Sequence, residues 1–412
     1  MKKLPLFLFL PVLLLFLNKI SFCQVPAAYR TQVYLPLLKG KKVGLFANQT
    51  ATIGNKHLVD TLLALGVNIT KAFGPEHGFR GTADAGEKVT NYTDPSTGIP
   101  VISLFGNKRK PTAEDLDDVD VLLFDIQDVG TRFYTYISSL QEFMEAAFEN
   151  SKPLMILDRP NPNGFYVDGP VLDTAFKSFV GMQPIPIVYG MTIAEYAFMI
   201  AGEKWLSEKA NEKYAYYLRA ENSADTAFHF QVIKCAGYTH ESRYQLPVKP
   251  SPNLPDMSSV YWYAGNCLFE GTAISEGRGT DHPFAMIGHP LLPKNLFSFT
   301  PTSRDGAKEP KLKNQLCYGW NLSADPAVID GKFQLSYLLK AYQLFPDKEN
   351  FFLKPKSGNM QQSAFNRLAG NSELMQQIKA GKTEAEIRQS WQPKIEAFKK
   401  IRRKYLLYKD FE

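Results

Sequence analysis

The sequence predicts an α/β protein: a Rossmann-like parallel-sheet domain followed by a smaller α+β C-terminal domain. Three observations carry this. Between residues 41 and 158, near-continuous apolar runs alternate with segments of helical period, and strands without polar alternation are buried on both faces, as in a parallel sheet covered by helices. Asn48, Glu76, Asp125 and Asp158 fall at or just past the carboxyl ends of successive runs, the edge of an open α/β sheet where ligands bind. Finally, Leu246-Pro-Val-Lys-Pro-Ser-Pro-Asn-Leu-Pro255 holds four prolines in ten residues, a stiff crossing that divides the chain into 24–250 and 251–412.

Lys41-Lys-Val-Gly-Leu-Phe-Ala47 reads as the first buried strand, and apolar residues at helical spacing follow over 56–65. The next strand, Val67-Asn-Ile-Thr-Lys-Ala-Phe73, delivers Phe73-Gly-Pro-Glu-His-Gly-Phe-Arg-Gly81. This stretch is too polar and too bent for a core, and loops of that kind on a rigid scaffold carry chemistry. After a polar loop with Asn91, Tyr92 and Asp94 come a third strand (Ile99-Pro-Val-Ile-Ser-Leu-Phe105), an acidic helix over 112–118 and a fourth strand ending at Asp125. A long helix is predicted over 133–150, and Pro153-Leu-Met-Ile-Leu-Asp158 is the fifth strand. Thr192-Ile-Ala-Glu195 is a capping box that opens a helix, and 228–235 is a further strand. The second half begins with a helix over 257–268 and then Glu270-Gly-Thr-Ala-Ile-Ser-Glu-Gly-Arg-Gly-Thr280. Helices over 332–345 and 383–408 complete it.

Residues 1–23 stand apart. Lys2 and Lys3 precede an apolar run from Leu4 to Leu17 and a polar exit, the pattern of a secretory signal, shorter than a spanning helix requires. Periplasmic or extracellular location is therefore expected, with no stable membrane span after the signal is removed. Lipid anchoring at Cys23 is the alternative, set back by the bulky Phe22 where a lipoprotein signal carries a small residue. Removal takes Lys2, Lys3 and Lys19 and no acid, lowering the net charge from +6 to +3. Without a clustered basic face, nucleic acid is not a partner. The basic run from Lys399 to Lys404 is read as a solvated helix face. Cys235, Cys267 and Cys317 lack C-x-x-C spacing and are expected to behave as buried apolar residues.

The chemistry narrows by elimination. No G-x-G-x-x-G follows the first strand and no G-x-x-x-x-G-K-[ST] occurs, so no nucleotide cofactor is implied. No serine lies in G-x-S-x-G. Glu76, His77, Asp125, Asp128, Asp281 and His282 lack metal-ligand spacing, so no metal is expected. Three clusters remain: Glu76, His77 and Arg80; Asp125 and Asp128 with Arg132 and Tyr134; Glu270, Glu276 and Arg278. Two carboxyls in unlike surroundings act as acid and base, which is what glycoside hydrolysis requires. A guanidinium grips a carboxylate with two parallel bonds, so Arg80 or Arg278 is expected to hold an acidic substrate group. Each cluster has a structural alternative: Asp125 and Asp128 as acceptors for the next helix, Arg132 as a core ion-pair partner.

Leu45-Phe-Ala-Asn-Gln-Thr50, Phe73 to Gly81, Phe124-Asp-Ile-Gln-Asp-Val-Gly-Thr-Arg-Phe-Tyr-Thr-Tyr136, Asp158-Arg-Pro-Asn-Pro162 and Glu270 to Thr280 together resemble the DUF1343 family, whose characterised members are exo-β-N-acetylmuramidases of the NamZ type. The resemblance runs from residue 41 to the C-terminus. It implies a Rossmann-like domain, a smaller domain completing the active-site cleft, and a secreted hydrolase that removes terminal N-acetylmuramic acid from peptidoglycan fragments. Muropeptides or MurNAc-GlcNAc saccharides are the implied partners, and no cofactor is implied. On this reading the lactyl carboxylate is the anion for Arg80 or Arg278. Glu76 is expected to protonate the leaving oxygen, with Glu276 or Asp125 assisting water or stabilising the transition state. In the alternative route the sugar's acetamido oxygen attacks and Asp125 orients it. Asn48, His77, Tyr134 and Asn161 are expected to bind hydroxyls or the acetamido group, with Asp128 and Arg132 beside them. A non-catalytic muropeptide-binding protein and a metal-dependent hydrolase of another bond are the readings from other classes.

Overall fold

A computed structural model of the chain describes residues 24–81, 90–220 and 228–412. The expected signal segment and Cys23 lie outside the described residues. The strands of the first half are β1 (Lys42–Ala47), a hairpin of β2 (Thr52–Ile53) and β3 (Lys56–His57), β4 (Asn68–Gly74), β5 (Tyr92–Thr93), β6 (Pro100–Ser103), β7 (Val121–Asp125), β8 (Leu154–Leu157) and β9 (Phe230–Ile233). All but the hairpin form one sheet in the order β5-β6-β4-β1-β7-β8-β9. Its pairs are parallel except β5 with β6 at one edge. The register sets Ala47 beside Asp125, Phe46 beside Phe73 and Gly74 beside Ser103, so the carboxyl ends share one rim.

The apolar runs are continuous because each strand feeds two cores. Phe46, Leu122, Phe124, Leu154 and Ile156 face one buried cluster, while Val43, Leu45, Leu123, Met155 and Leu157 face the other. Helix Tyr136–Glu149 lies over the first face, buried along most of its length, with the Phe143 ring 4.9 Å from Phe46 and 5.4 Å from Phe73. Helices Thr31–Leu38 and Leu58–Ala64 cover the other face through Tyr34, Leu38, Leu58, Val59 and Leu62.

The second half contributes an antiparallel sheet in the order β10-β12-β11, from β10 (Met286–His289), β11 (Phe297–Phe299) and β12 (Cys317–Asn321), and helices that include Met257–Asn266, Ser336–Leu344, Ala364–Ala369 and Glu384–Arg402. The two halves share a core: one buried cluster extends from Phe46 to Phe398. Arg132 ties them further, donating to the carbonyls of Pro170, Ile185, Leu368 and Ala369, each at 2.8 Å. The C-terminal tail returns to the first sheet, where Tyr408 donates to Asp158 at 2.5 Å and Leu407 N–H to Glu195 at 2.7 Å.

Several element boundaries move from the sequence reading, each for a local reason. Residues 56–57 pair in the hairpin before the helix begins at Leu58, with His57 Nδ1 accepting from Val59 N–H as its cap. The helix expected from 133 begins at Tyr136, because Arg132 N–H bonds to the Ile187 carbonyl and the Tyr134 hydroxyl to the Pro250 carbonyl. The last helix ends at Arg402, whose guanidinium is held by the Gly190 carbonyl and Asp410. The basic run is more than a solvated face. Lys399 and Arg403 pair with Glu412, and Lys404 with Glu203. Cys235, Cys267 and Cys317 are free and buried. Among the described residues no helix is long and apolar enough to cross a membrane.

Candidate active site

The loop after β4 enters a cavity where Glu76 and His77 meet Tyr134, Tyr136, Ser251, Tyr263, Arg278 and Phe284. A roomier hollow beside Leu35, Leu38 and Leu65 has no carboxylate in its lining. Convergent polar groups therefore single out the first. Glu76 is half-buried. His77 is 6% exposed, stands at φ 69° and places Nε2 3.5 Å from Ser251 Oγ. Left-handed backbone in a non-glycine residue stores of order 1 kcal/mol or more, a strain this loop holds at the cavity.

The opposite wall is aromatic. Tyr134 and Tyr136 meet edge to face at 4.7 Å, Tyr263 lies 5.9 Å from Tyr134, and Phe284 4.7 Å from Tyr263. Such a surface offers apolar area to a sugar ring with hydroxyls at its margins. Burial pushes the Tyr136 hydroxyl up, and the nearby Glu76 charge acts in the same direction; the phenol stays a donor.

Arg278 comes from the second half. Gly277 and Gly279 flank it at φ 81° and 80°, and a Cβ on either would stand 2.1 Å from the Met286 carbonyl oxygen or 2.4 Å from that of Thr302. Glycine at both positions is thus a requirement of close backbone approach. The guanidinium donates to Glu270 at 2.6 Å, lies 3.6 Å from Glu276, and packs 5.0 Å from the Phe284 ring centre. A quarter of its side chain stays exposed. Glu276 is 3% exposed. Burial alone would raise its carboxyl, but Lys311, 3.0 Å away, and Arg278 hold it below the usual range.

Several expected site residues lie outside the cavity wall, and their geometry corrects the roles read from sequence. Arg80 is clamped by two protein carboxylates, Asp60 at 2.9 and 3.0 Å and Asp94 at 2.7 and 3.0 Å, so its fork is already filled. Asp125 is fully buried against Arg159 at 2.5 and 2.7 Å. Arg132 is the carbonyl tie already described, and burial pushes it down to about 9. Asp128 accepts from Gly130 N–H at 2.6 Å and from the Tyr189 hydroxyl; burial pushes its carboxyl up to about 6 against those bonds. Asn161 bridges backbone, donating to Met191 and accepting from Asn163. Asn48 is buried, with Oδ1 accepting from Thr50 N–H at 2.9 Å and Thr50 Oγ1 at 2.6 Å. Tyr134 does line the cavity, with its hydroxyl donating to the Pro250 carbonyl. Glu276 stands one layer behind Arg278.

Sequence reasoning missed Tyr136, Tyr263 and Phe284, which look like core residues until the fold shows the space they face. It also missed Ser251 and Leu254, which with Asn253 bring the proline-rich crossing to the cavity. The available signal was the position of Tyr136 two residues beyond Tyr134 in one motif. Lys311 gave none, standing among Lys308 and Lys313. Among the described residues, no group of three or more His, Cys, Asp or Glu is placed to hold a metal ion.

Comparison with known proteins bears on this arrangement. A family model described as "Exo-beta-N-acetylmuramidase NamZ, N-terminal" matches residues 43–258, and its C-terminal counterpart matches 261–408. The peptidoglycan beta-N-acetylmuramidase NamZ of Bacillus subtilis (strain 168) is 38% identical over 401 residues, covering 91% of this chain and 89% of that protein. A DUF1343 family protein of Bacteroides fragilis NCTC 9343 superposes with a TM-score of 0.81 at 41% identity, covering 94% of this chain and 99% of the other. A second from the same organism gives 0.75 at 28% identity with the same coverage. From these matches along both halves, the chain belongs to the NamZ exo-beta-N-acetylmuramidase family.

Proposed function

We propose that the protein is an exo-acting glycoside hydrolase that releases terminal β-linked N-acetylmuramic acid from peptidoglycan fragments, in cell-wall turnover. The observation that carries this is the meeting, in one aromatic-walled cavity, of a carboxyl group and a guanidinium from opposite halves of the chain, Glu76 and Arg278. N-acetylmuramic acid differs from N-acetylglucosamine by a lactyl ether, so its recognition calls for a cation beside the sugar site. Arg278 supplies it, and Glu270 and Glu276 hold its fork in place. Glu76 acts as general acid on the leaving oxygen.

A two-carboxylate mechanism needs a second acid facing the first across the scissile bond. Asp125 and Glu276 are tied into ion pairs, and among the described residues Glu76 is the one carboxylate of the cavity lining. This favours the route in which the acetamido oxygen of the substrate attacks the anomeric carbon, with Tyr136 and His77 at hand to orient that group. Secretion is part of the proposal and is supported by the character of residues 1–23.

The test is product analysis on a reduced MurNAc-GlcNAc-terminated saccharide. Free N-acetylmuramic acid is expected from the non-reducing end, with and without a chelator. Saturable binding without released sugar would end the reading. Replacing the acetamido by a trifluoroacetamido group should slow turnover strongly if that oxygen is the nucleophile.

A further inference from the structure

Lys311 stands outside the cavity lining, yet the geometry around it is that of an enclosed cation. Its Nζ donates to the carbonyls of Phe269 at 2.8 Å, Thr272 at 2.9 Å and Ile274 at 2.9 Å. Glu276 Oε2 lies 3.0 Å away as a fourth oxygen. An ammonium has three N–H groups, and three carbonyls take them. The carboxylate is therefore held by charge, and Oε2 has no hydrogen-bond partner among the described residues. The four oxygens belong to the stretch that ends in Arg278, and each would otherwise be a buried acceptor facing its neighbours. Carbonyl oxygens converging in this way replace the hydration shell of an ion.

The mechanical link to Arg278 is short. Glu276 joins Lys311 on one side and Arg278 on the other. Pro310, the residue before Lys311, occupies the place a Cβ would take at Gly279, 2.6 Å away. Thr302 N–H bonds to the Gly279 carbonyl at 2.9 Å. The segment carrying Lys311 thus bears on Arg278 through Glu276 on one side and Gly279 on the other.

We propose that Lys311 is a positioning residue for substrate selection: it serves as a built-in cation that holds residues 269–276 in the form that projects Arg278 into the cavity. The proposal rests on the reading of Arg278 as the group that recognises the lactyl carboxylate. It places the effect in selectivity rather than in bond cleavage, since Lys311 is not among the residues that line the cavity.

The experiment compares kcat/KM on a nitrophenyl β-N-acetylmuramide with that on the matching β-N-acetylglucosaminide, in the full-length mature chain. Lys311→Met is expected to lower this selectivity ratio by a factor of ten or more, through KM for the muramide with kcat little changed. Lys311→Ala opens the nest, whose lysine side chain is 22% exposed, and added ammonium or potassium at 0.1–0.5 M is expected to recover part of the ratio, while tetramethylammonium is not. Should neither variant accumulate as folded protein, Lys311→Arg decides: it keeps the charge but is too wide for four oxygens, and an unaltered ratio overturns the proposal. Folded Lys311→Met with wild-type selectivity overturns it as well. Arg278→Ala separates the two readings. If it leaves the ratio unchanged, the lactyl reading fails and this proposal with it. If it collapses the ratio while Lys311→Met does not, only the positioning role fails.

Discussion

Glu76→Gln removes the proton that the proposed acid must deliver while keeping nearly the same volume at a half-buried position. A positioned general acid contributes roughly 10²- to 10⁴-fold, or about 3 to 5 kcal/mol of barrier. The structure sets where in that range the loss should fall. Among the described residues no second carboxyl lines the cavity, and the two candidates behind it are engaged, Asp125 with Arg159 at 2.5 Å and Glu276 with Lys311 at 3.0 Å. The expected loss is therefore near the upper end, about 10³- to 10⁴-fold in kcat on a disaccharide, whose leaving alkoxide needs the proton. On a nitrophenyl glycoside the leaving group departs as a stable anion, and the loss should shrink to about tenfold or less. The assay is steady-state turnover of both substrates by both proteins, with thermal unfolding as a control. Equal losses on the two substrates would refute the reasoning, since a positioning or folding role does not depend on the leaving group. So would near wild-type turnover of the disaccharide.

The remaining predictions concern groups that the structure removes from the site. Arg80→Ala should leave the muramide-to-glucosaminide ratio unchanged but lower stability by roughly 2 to 4 kcal/mol, because Asp94, with a fully buried side chain, loses its partner; chemical denaturation measures this, and a selectivity change would restore Arg80 to the site. Burial pushes the Asp158 carboxyl from 3.8 up to about 7, opposed by the Tyr408 hydroxyl. A carboxyl raised in the fold contributes its stability below the unfolded value and loses it as pH climbs through the folded one. Between pH 5 and 8 wild type should therefore lose about 3 kcal/mol more than Asp158→Asn, read as the pH dependence of urea midpoints in the two proteins. Parallel pH profiles would show that Asp158 stays ionised throughout.

The sheet was legible in the sequence because its signal is local. A strand buried on both faces must be apolar at consecutive positions, and β1, β4, β7 and β8 each declare that within a few residues. The rim was legible for the same reason: polar residues at Asn48, Glu76, Asp125 and Asp158 mark where the apolar runs end. The Gly277-Arg278-Gly279 bracket also speaks for itself, since left-handed backbone packed against carbonyl oxygens excludes any side chain.

What the rim residues do was not written locally. A carboxylate at a strand end serves catalysis or structure according to which cation the rest of the chain brings, and those partners lie far off in sequence: Arg159 is 34 residues beyond Asp125, and Tyr408 is 250 beyond Asp158. Arg80 and Arg278 are alike as residues in glycine-flanked loops, yet one is enclosed by Asp60 and Asp94 and the other reaches a cavity. Charge pairing and burial depend on three-dimensional distance, whereas strand and turn preferences depend on neighbours along the chain. The amino-acid order alone thus determined the parallel sheet, its polar rim and the family. Only the folded chain decided that Glu76 and Arg278 line one cavity while Asp125, Asp128, Arg132 and Arg80 are taken up by partners elsewhere in the fold.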